Sequence, residues 1–277
     1  MTLFLLSLAP LAANAQSAAE RLVVMGGPIT EIAFALGAEG SIVASDKTSL
    51  YPPQAQKLPS VGVYRAISSE GVLSVNPTKI ISGSGLGPAA AVKQLQASGI
   101  PLIIVENPKS EKTLFAAIEK LGRELAREKE AEALAVKIRA QFAEVKKLAS
   151  GRPAPGVVFL MGMGGAASAA GGETQADGII ALAGGRNLFG EFRGYKPVSE
   201  EAILKAAPDV ILVASHSTQG DVSAPADPKT YLKRYGFKSL DTLAKTRVVP
   251  IDMGEFLIIG PRAGETSIKL AEIFFPK

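Results

Sequence analysis

Ser68-Ser69-Glu70-Gly71-Val72-Leu73-Ser74-Val75-Asn76-Pro77-Thr78-Lys79-Ile80-Ile81 returns 131 positions later, without a gap, as Ser199-Glu200-Glu201-Ala202-Ile203-Leu204-Lys205-Ala206-Ala207-Pro208-Asp209-Val210-Ile211-Leu212. Each copy reads as a serine-capped helix of two turns, stopped by proline and followed by a buried strand. One such unit on either side of a long spacer points to two equivalent halves. The spacer, Glu111 to Leu148, is rich in Ala, Glu, Lys, Leu and Arg, has no proline and contains one glycine, Gly122. Gly122 is expected to part a shorter helix from one of about 25 residues starting near Arg123. The breakers Gly151-Arg152-Pro153-Ala154-Pro155-Gly156 close the stretch. The organisation expected is therefore a signal segment at 1–15, an N-terminal α/β lobe at 16–122, a connecting helix at 123–150 and a C-terminal α/β lobe at 151–277.

The alternation extends beyond the repeat. Strands are expected at Leu22–Met25, Ile42–Ser45, Lys79–Ser82, Leu102–Val105, Val157–Met161, Val210–Ala214 and Val248–Ile251, with helical patterns between them. Pro28 suits a first helical turn, Ile29, Ile32 and Leu36 share one face, and Gly37 ends that helix. The class is α/β: two Rossmann-like lobes of parallel strands flanked by helices, joined by a single long helix.

Composition excludes several functions. With 277 residues the chain has room for about two domains. The absence of cysteine removes disulfides, thiolate metal sites and cysteine nucleophiles, and a single histidine removes multi-histidine metal sites. A net charge of +4, spread along the chain, with no tryptophan, argues against a nucleic-acid surface. The apolar run Thr2 to Ala12 ends in Ala13-Asn14-Ala15, which reads as a secretory signal cleaved near Ala15. Its length falls short of the roughly 20 residues a bilayer span needs. The expected address is the periplasm.

In open parallel sheets ligands bind beyond the carboxyl ends of the strands. Those ends carry small polar residues here: Ser45-Asp46, Ser82-Gly83-Ser84-Gly85-Leu86-Gly87, Gly162-Met163-Gly164-Gly165 and Ser215-His216-Ser217. The cleft between two lobes is the expected site. Gly162-Met163-Gly164-Gly165-Ala166-Ala167 fits the dinucleotide fingerprint, but no acidic residue follows at the end of a second strand. No G-x-S-x-G occurs either, which leaves a serine hydrolase without its nucleophile.

Val61-Gly62-Val63-Tyr64-Arg65-Ala66-Ile67-Ser68-Ser69-Glu70-Gly71-Val72-Leu73 resembles the periplasmic haem-binding proteins of ABC haem importers, which are class III periplasmic binding proteins. The likeness continues through Tyr51-Pro52, Met161 to Gly172, Gly184-Gly185-Arg186-Asn187, Tyr195-Lys196-Pro197-Val198-Ser199 and Gly260-Pro261-Arg262. It implies a non-enzymatic receptor that captures haem between its lobes and delivers it to a membrane permease. The family pattern is V-G-Y-x-R-x-L-S-x-E-G, in which tyrosine is the axial iron ligand. Here Val63 fills that column and Tyr64 follows it.

The resemblance makes Tyr64 the expected iron ligand. A phenolate suits ferric iron, and the neighbouring Arg65 favours its ionisation. His216, after a strand of the opposite lobe, is the second iron candidate. Arg65, Arg193 and Arg262 are the expected partners of the haem propionates. Glu70 and Glu201, at matching places in the repeat, are expected to dock onto permease arginines, with Glu200 as the alternative; each also suits the positive end of its helix. The same fold could instead carry a ferric siderophore or a cobalamin.

Overall fold

The computed structural model describes residues 20–163, 166–215 and 246–276, with Thr230, Leu232, Lys233 and Phe237 between the last two spans. The signal segment 1–15 and His216 lie outside the described residues.

Two sheets build the molecule. The first has the order β2-β1-β3-β4, formed by β1 (Leu22–Met25), β2 (Ile42–Ser45), β3 (Lys79–Gly83) and β4 (Leu102–Val105), all parallel. All four residues of β1 are fully buried, as a central strand covered on both faces must be. Helix α1 (Gly27–Ala35) follows β1 with Pro28 in its first turn, and Ile29, Ile32 and Leu36 form its buried face.

The second sheet has the order β10-β9-β5-β6-β8, from β5 (Gly156–Met163), β6 (Ala166–Ala170), β8 (Tyr195–Pro197), β9 (Val210–Ser215) and β10 (Arg247–Asp252); the short β7 (Arg186–Asn187) pairs with the start of β5. The strands β5, β9 and β10 run parallel, but β6 and β8 are antiparallel, so this sheet is mixed where a parallel one was expected. The cause lies in Gly162 to Ala167. Strands β5 and β6 pair up to Met163 and Ala166, so the glycine-rich stretch joins two strands of one sheet. A dinucleotide fingerprint requires a strand-to-helix turn there, and none exists.

Both copies of the repeat form as read. Ser68 and Ser199 accept from the amides of Gly71 and Ala202 at the starts of α2 (Ser69–Leu73) and α7 (Glu200–Ala206). Each unit then turns through a left-handed residue directly before its proline, Asn76 at φ 48° and Ala207 at φ 46°. Those two positions are 131 apart as well.

The helical spacer breaks later than expected. Helix α4 runs Glu111–Glu124 from a Ser110/Thr113 capping box, and α5 runs Glu128–Ala149; Ala126 at φ 51° makes the turn between them. Gly122 lies inside α4, where a methyl group would stand 2.6 Å from the Ala131 Cβ. Its role is close packing of α4 on α5. Helix α5 then links the cores: Ala131, Ile138 and Phe142 pack with α1 and α4, and Val145 packs with the second sheet. A second seam was not expected. Ile259 and Ala263, which follow the second sheet in sequence, are fully buried in the first half's core. Among the described residues no helix is long and apolar enough to cross a membrane.

Candidate functional site

At the carboxyl edge of the first sheet, one carboxylate organises three segments. Asp46, buried just after β2, accepts from the Gly26 amide at 2.8 Å, the Thr48 amide at 3.1 Å, the Thr48 hydroxyl at 2.8 Å, the Ser49 hydroxyl at 2.8 Å and the Tyr64 amide at 3.2 Å. Gly26, at φ 94°, makes the turn from β1 into α1 that aims its amide at Asp46. Asp46 was placed at a strand end by sequence, but nothing local marks it as the residue that holds the edge together.

The Tyr64 amide bond to Asp46 decides which way this tyrosine faces. Tyr64–Ala66 forms a single 3-10 turn, fixed on its other side by the Gly87 amide donating to the Tyr64 carbonyl at 3.0 Å. Tyr64 is 4% exposed and packs among Val23, Met25 and Ile80, while Val63 is 37% exposed. Held by those two bonds, the Tyr64 ring faces inward and the Val63 side chain faces out. Its hydroxyl accepts from Asn107 Nδ2 at 3.2 Å, beside the ends of β3 and β4, and Asn107 also donates to the Ser84 carbonyl at 2.8 Å. The exposed Arg65 guanidinium lies 4.4 Å from the centre of the Tyr64 ring and forms no ion pair among the described residues.

The other two arginines are engaged. Arg193 is exposed and pairs with Glu173 at 3.0 Å on the surface of the second half. Arg262 is only 16% exposed and grips Glu31 of α1, with Nε to Oε2 at 3.0 Å and Nη2 to Oε1 at 2.6 Å. Its guanidinium also stacks 4.0 Å from the Tyr51 ring. Arg262 was expected on a propionate; its fork is occupied by a carboxylate of the opposite half. Burial pushes the Glu31 carboxyl above the ordinary carboxylate value, while the Arg262 hydrogen bonds and charge pull it back. The guanidinium is desolvated too, and Glu31 holds it charged. Nothing in the sequence marks Glu31 as a partner of Arg262, which lies 231 residues away.

A pocket of about 290 Å³ opens beside this pair, lined by Glu31, Phe34, Tyr51, Pro52 and, from the second half, Pro261. Tyr51 is 42% exposed there. Tyr195 is a different kind of phenol. Burial raises it above its ordinary value against hydrogen bonds from Thr174 and Ala176, which favours the neutral form over a phenolate. Glu70 and Glu201 are both exposed, each second in its helix, and neither forms an ion pair among the described residues; Glu200 is half-buried. Among the described residues no cluster of three or more His, Cys, Asp or Glu could hold a bare metal ion.

Two α/β halves built on one repeat, joined by a long helix, and presenting the carboxyl edges of their parallel strands, define a class III periplasmic binding protein. The chain belongs to the periplasmic binding protein family, whose profile matches residues 22–253. Among solved structures it is similar to the apo periplasmic haem-binding protein RhuT from Roseiflexus sp. RS-1, with 32% identity, a TM-score of 0.80 and coverage of 93% of this chain and 98% of that one. A periplasmic haem-binding protein from Pseudomonas aeruginosa is 30% identical, with a TM-score of 0.78 and coverage of 93% of both chains. The vitamin B12-binding protein of Yersinia pestis (strain Pestoides F) is 30% identical over 205 residues, 74% of this chain and 72% of that protein.

Proposed function

We propose that this chain is a haem receptor of the periplasm: exported on the signal segment 1–15, it takes up haem between its halves and hands it to the permease of an ABC importer. It performs no chemistry on its cargo. The observation that carries this reading is the likeness to haem-binding structures at 30–32% identity over 93% of the chain. The vitamin B12-binding relative is about as similar in sequence, 30% identical over 74% of the chain. A ferric siderophore or cobalamin is the rival cargo. Hemin titrated into the purified protein should give a shifted Soret band at one or two equivalents, with cyanocobalamin producing no binding heat. The reverse pattern would make cobalamin the cargo.

Within this reading Tyr64 is the iron ligand, supported by the family resemblance, by its hydroxyl beside the carboxyl edge and by Arg65 over its ring. To reach the iron it must exchange the Asn107 hydrogen bond for the metal and turn outward. Arg65 then meets one propionate, and Arg193 can leave its exposed pairing with Glu173 to meet another. His216 offers an imidazole from the opposite half. Tyr64→Phe should change the high-spin charge-transfer bands of the hemin complex, and an unaltered spectrum would transfer the ligand role to another side chain.

Delivery rests on the repeat. Glu70 and Glu201 occupy equivalent helix starts on the two halves, so a two-fold permease meets the same carboxylate from each side. Glu70→Lys with Glu201→Lys should lower haem-dependent growth to the level of a receptor deletion while leaving hemin affinity within twofold. Growth at the parental rate would refute the docking role.

A further inference from the structure

Glu31 and Arg262 belong to different halves. Glu31 lies on α1 against the first sheet and is 3% exposed at its side chain. Arg262 immediately precedes the C-terminal helix Ala263–Phe274, which packs along the connecting helix α5 and sends Leu270, Ala271 and Phe274 into the second half's core. One guanidinium reaches three places. Nε and Nη2 hold both oxygens of Glu31, Nη2 also donates to the Gly254 carbonyl at 3.0 Å, and the flat face covers Tyr51 in the loop after β2. Three of its five N–H groups are committed to these contacts.

A buried ion pair adds little stability over well-packed apolar side chains of the same size. What a two-point arginine fork does supply is one allowed orientation, because both bonds fail together when the partner rotates or slides. The seam nearby is apolar: Ile259 and Ala263 enter the first core, and Ile258 Cδ1 lies 3.5 Å from where a Gly27 methyl group would sit. Such packing tolerates sliding in a way the fork does not.

We propose that the Glu31–Arg262 pair is a clasp that fixes the opening between the two halves and, by holding the Tyr51 ring against Arg262, sets how that ring faces the pocket between them. Arg262 thereby acts as a positioning residue and makes no contact with cargo. The clasp and the α5 connection lie far apart in sequence but restrain the same degree of freedom, the angle between the two sheets.

The absence of cysteine allows a direct test. Lys93→Cys on the exposed side of helix α3 (Ala89–Ala97) and Lys205→Cys on α7 place one spin label on each half, and pulsed electron–electron resonance then reads their separation without any ligand. The parent pair should give one narrow distance distribution. Arg262→Lys, which keeps the charge but loses the fork, and Glu31→Gln, which keeps the shape but loses the charge, should each broaden it at least twofold. Tyr51→Ala should leave it narrow. Unchanged widths in both clasp variants would overturn the proposal. So would failure of both to fold while Tyr51→Ala folds, since the pair would then support the core and not the opening. Because no cargo enters the measurement, its outcome is separate from that of the hemin titration.

Discussion

Asp46→Ala should lower the unfolding free energy by about 3–5 kcal/mol and remove hemin binding at the concentrations where the parent is saturated. The carboxylate accepts five hydrogen bonds from four residues, three of them backbone amides. Charge-assisted bonds of this kind are worth roughly 1.5–3 kcal/mol each, and a buried donor left without a partner costs about 1–3 kcal/mol. The full sum is not realised. Ser49 keeps its 2.7 Å bond to Thr30, and water can reach the half-exposed Thr48. The Gly26 and Tyr64 amides have no such substitute in the structure. Asp46→Asn should fail in part for a geometric reason. Oδ1 receives Gly26 and Ser49 while Oδ2 receives Thr48 and Tyr64, so an amide in either orientation turns its NH₂ toward donors. Urea unfolding should place the asparagine variant between parent and alanine, and an asparagine variant as stable as the parent would remove Asp46 from its organising role.

That carboxylate also shows where sequence reading stopped. The strands made of Val and Ile were legible because β-branched residues mark buried strands, and the serine caps and prolines of the repeat fixed both copies of the helix–strand unit. Strand β6, Ala-Ala-Ser-Ala-Ala, carries no such mark and forms only because β5 offers an edge to pair with. Gly122 misled for a related reason, since a glycine that permits a close helix contact looks the same in sequence as one that breaks a helix.

The strand ends were legible in the sequence, and the facing of the side chains on them was not. The carboxyl edge and the small residues along it followed from the strand pattern, while Tyr64 and Arg65 were singled out by the family resemblance. The facing of Tyr64 followed from neither, because it is set by Asp46, 18 residues before, and by Gly87, 23 residues after. The fate of Arg262 was hidden in the same way: an arginine near a presumed cleft suggests an anion, and only the fold brings Glu31 to it. Both contacts join partners far apart in sequence, where neither periodicity nor spacing carries information.

Gly178→Leu should destabilise the protein by about 3 kcal/mol or more, the second-largest effect expected of a single substitution. Helix α6 (Gln175–Leu182) meets the first half here: Gln175 Nε2 donates to the Pro108 carbonyl at 2.8 Å, and a methyl group on Gly178 would stand 2.3 Å from the Lys109 carbonyl oxygen and 2.7 Å from Ile259 Cδ1. Ile259 can rotate away, but Lys109 contributes backbone just ahead of the capped start of α4, and that backbone has little freedom to retreat. Two effects therefore compete in the smaller variant, Gly178→Ala. Alanine gains up to about 1 kcal/mol over glycine in a helix, while overpacking a close contact costs about 1–3 kcal/mol. The clash with backbone decides the sign, so alanine should be destabilising by about 1 kcal/mol and leucine by several times that. A urea series across Gly, Ala and Leu at this position should show midpoints falling in that order with the denaturant slope unchanged. An alanine variant more stable than the parent would mean that α6 does not sit flush against the first half, and that the contact between the halves at Lys109 is looser than 2.3 Å implies.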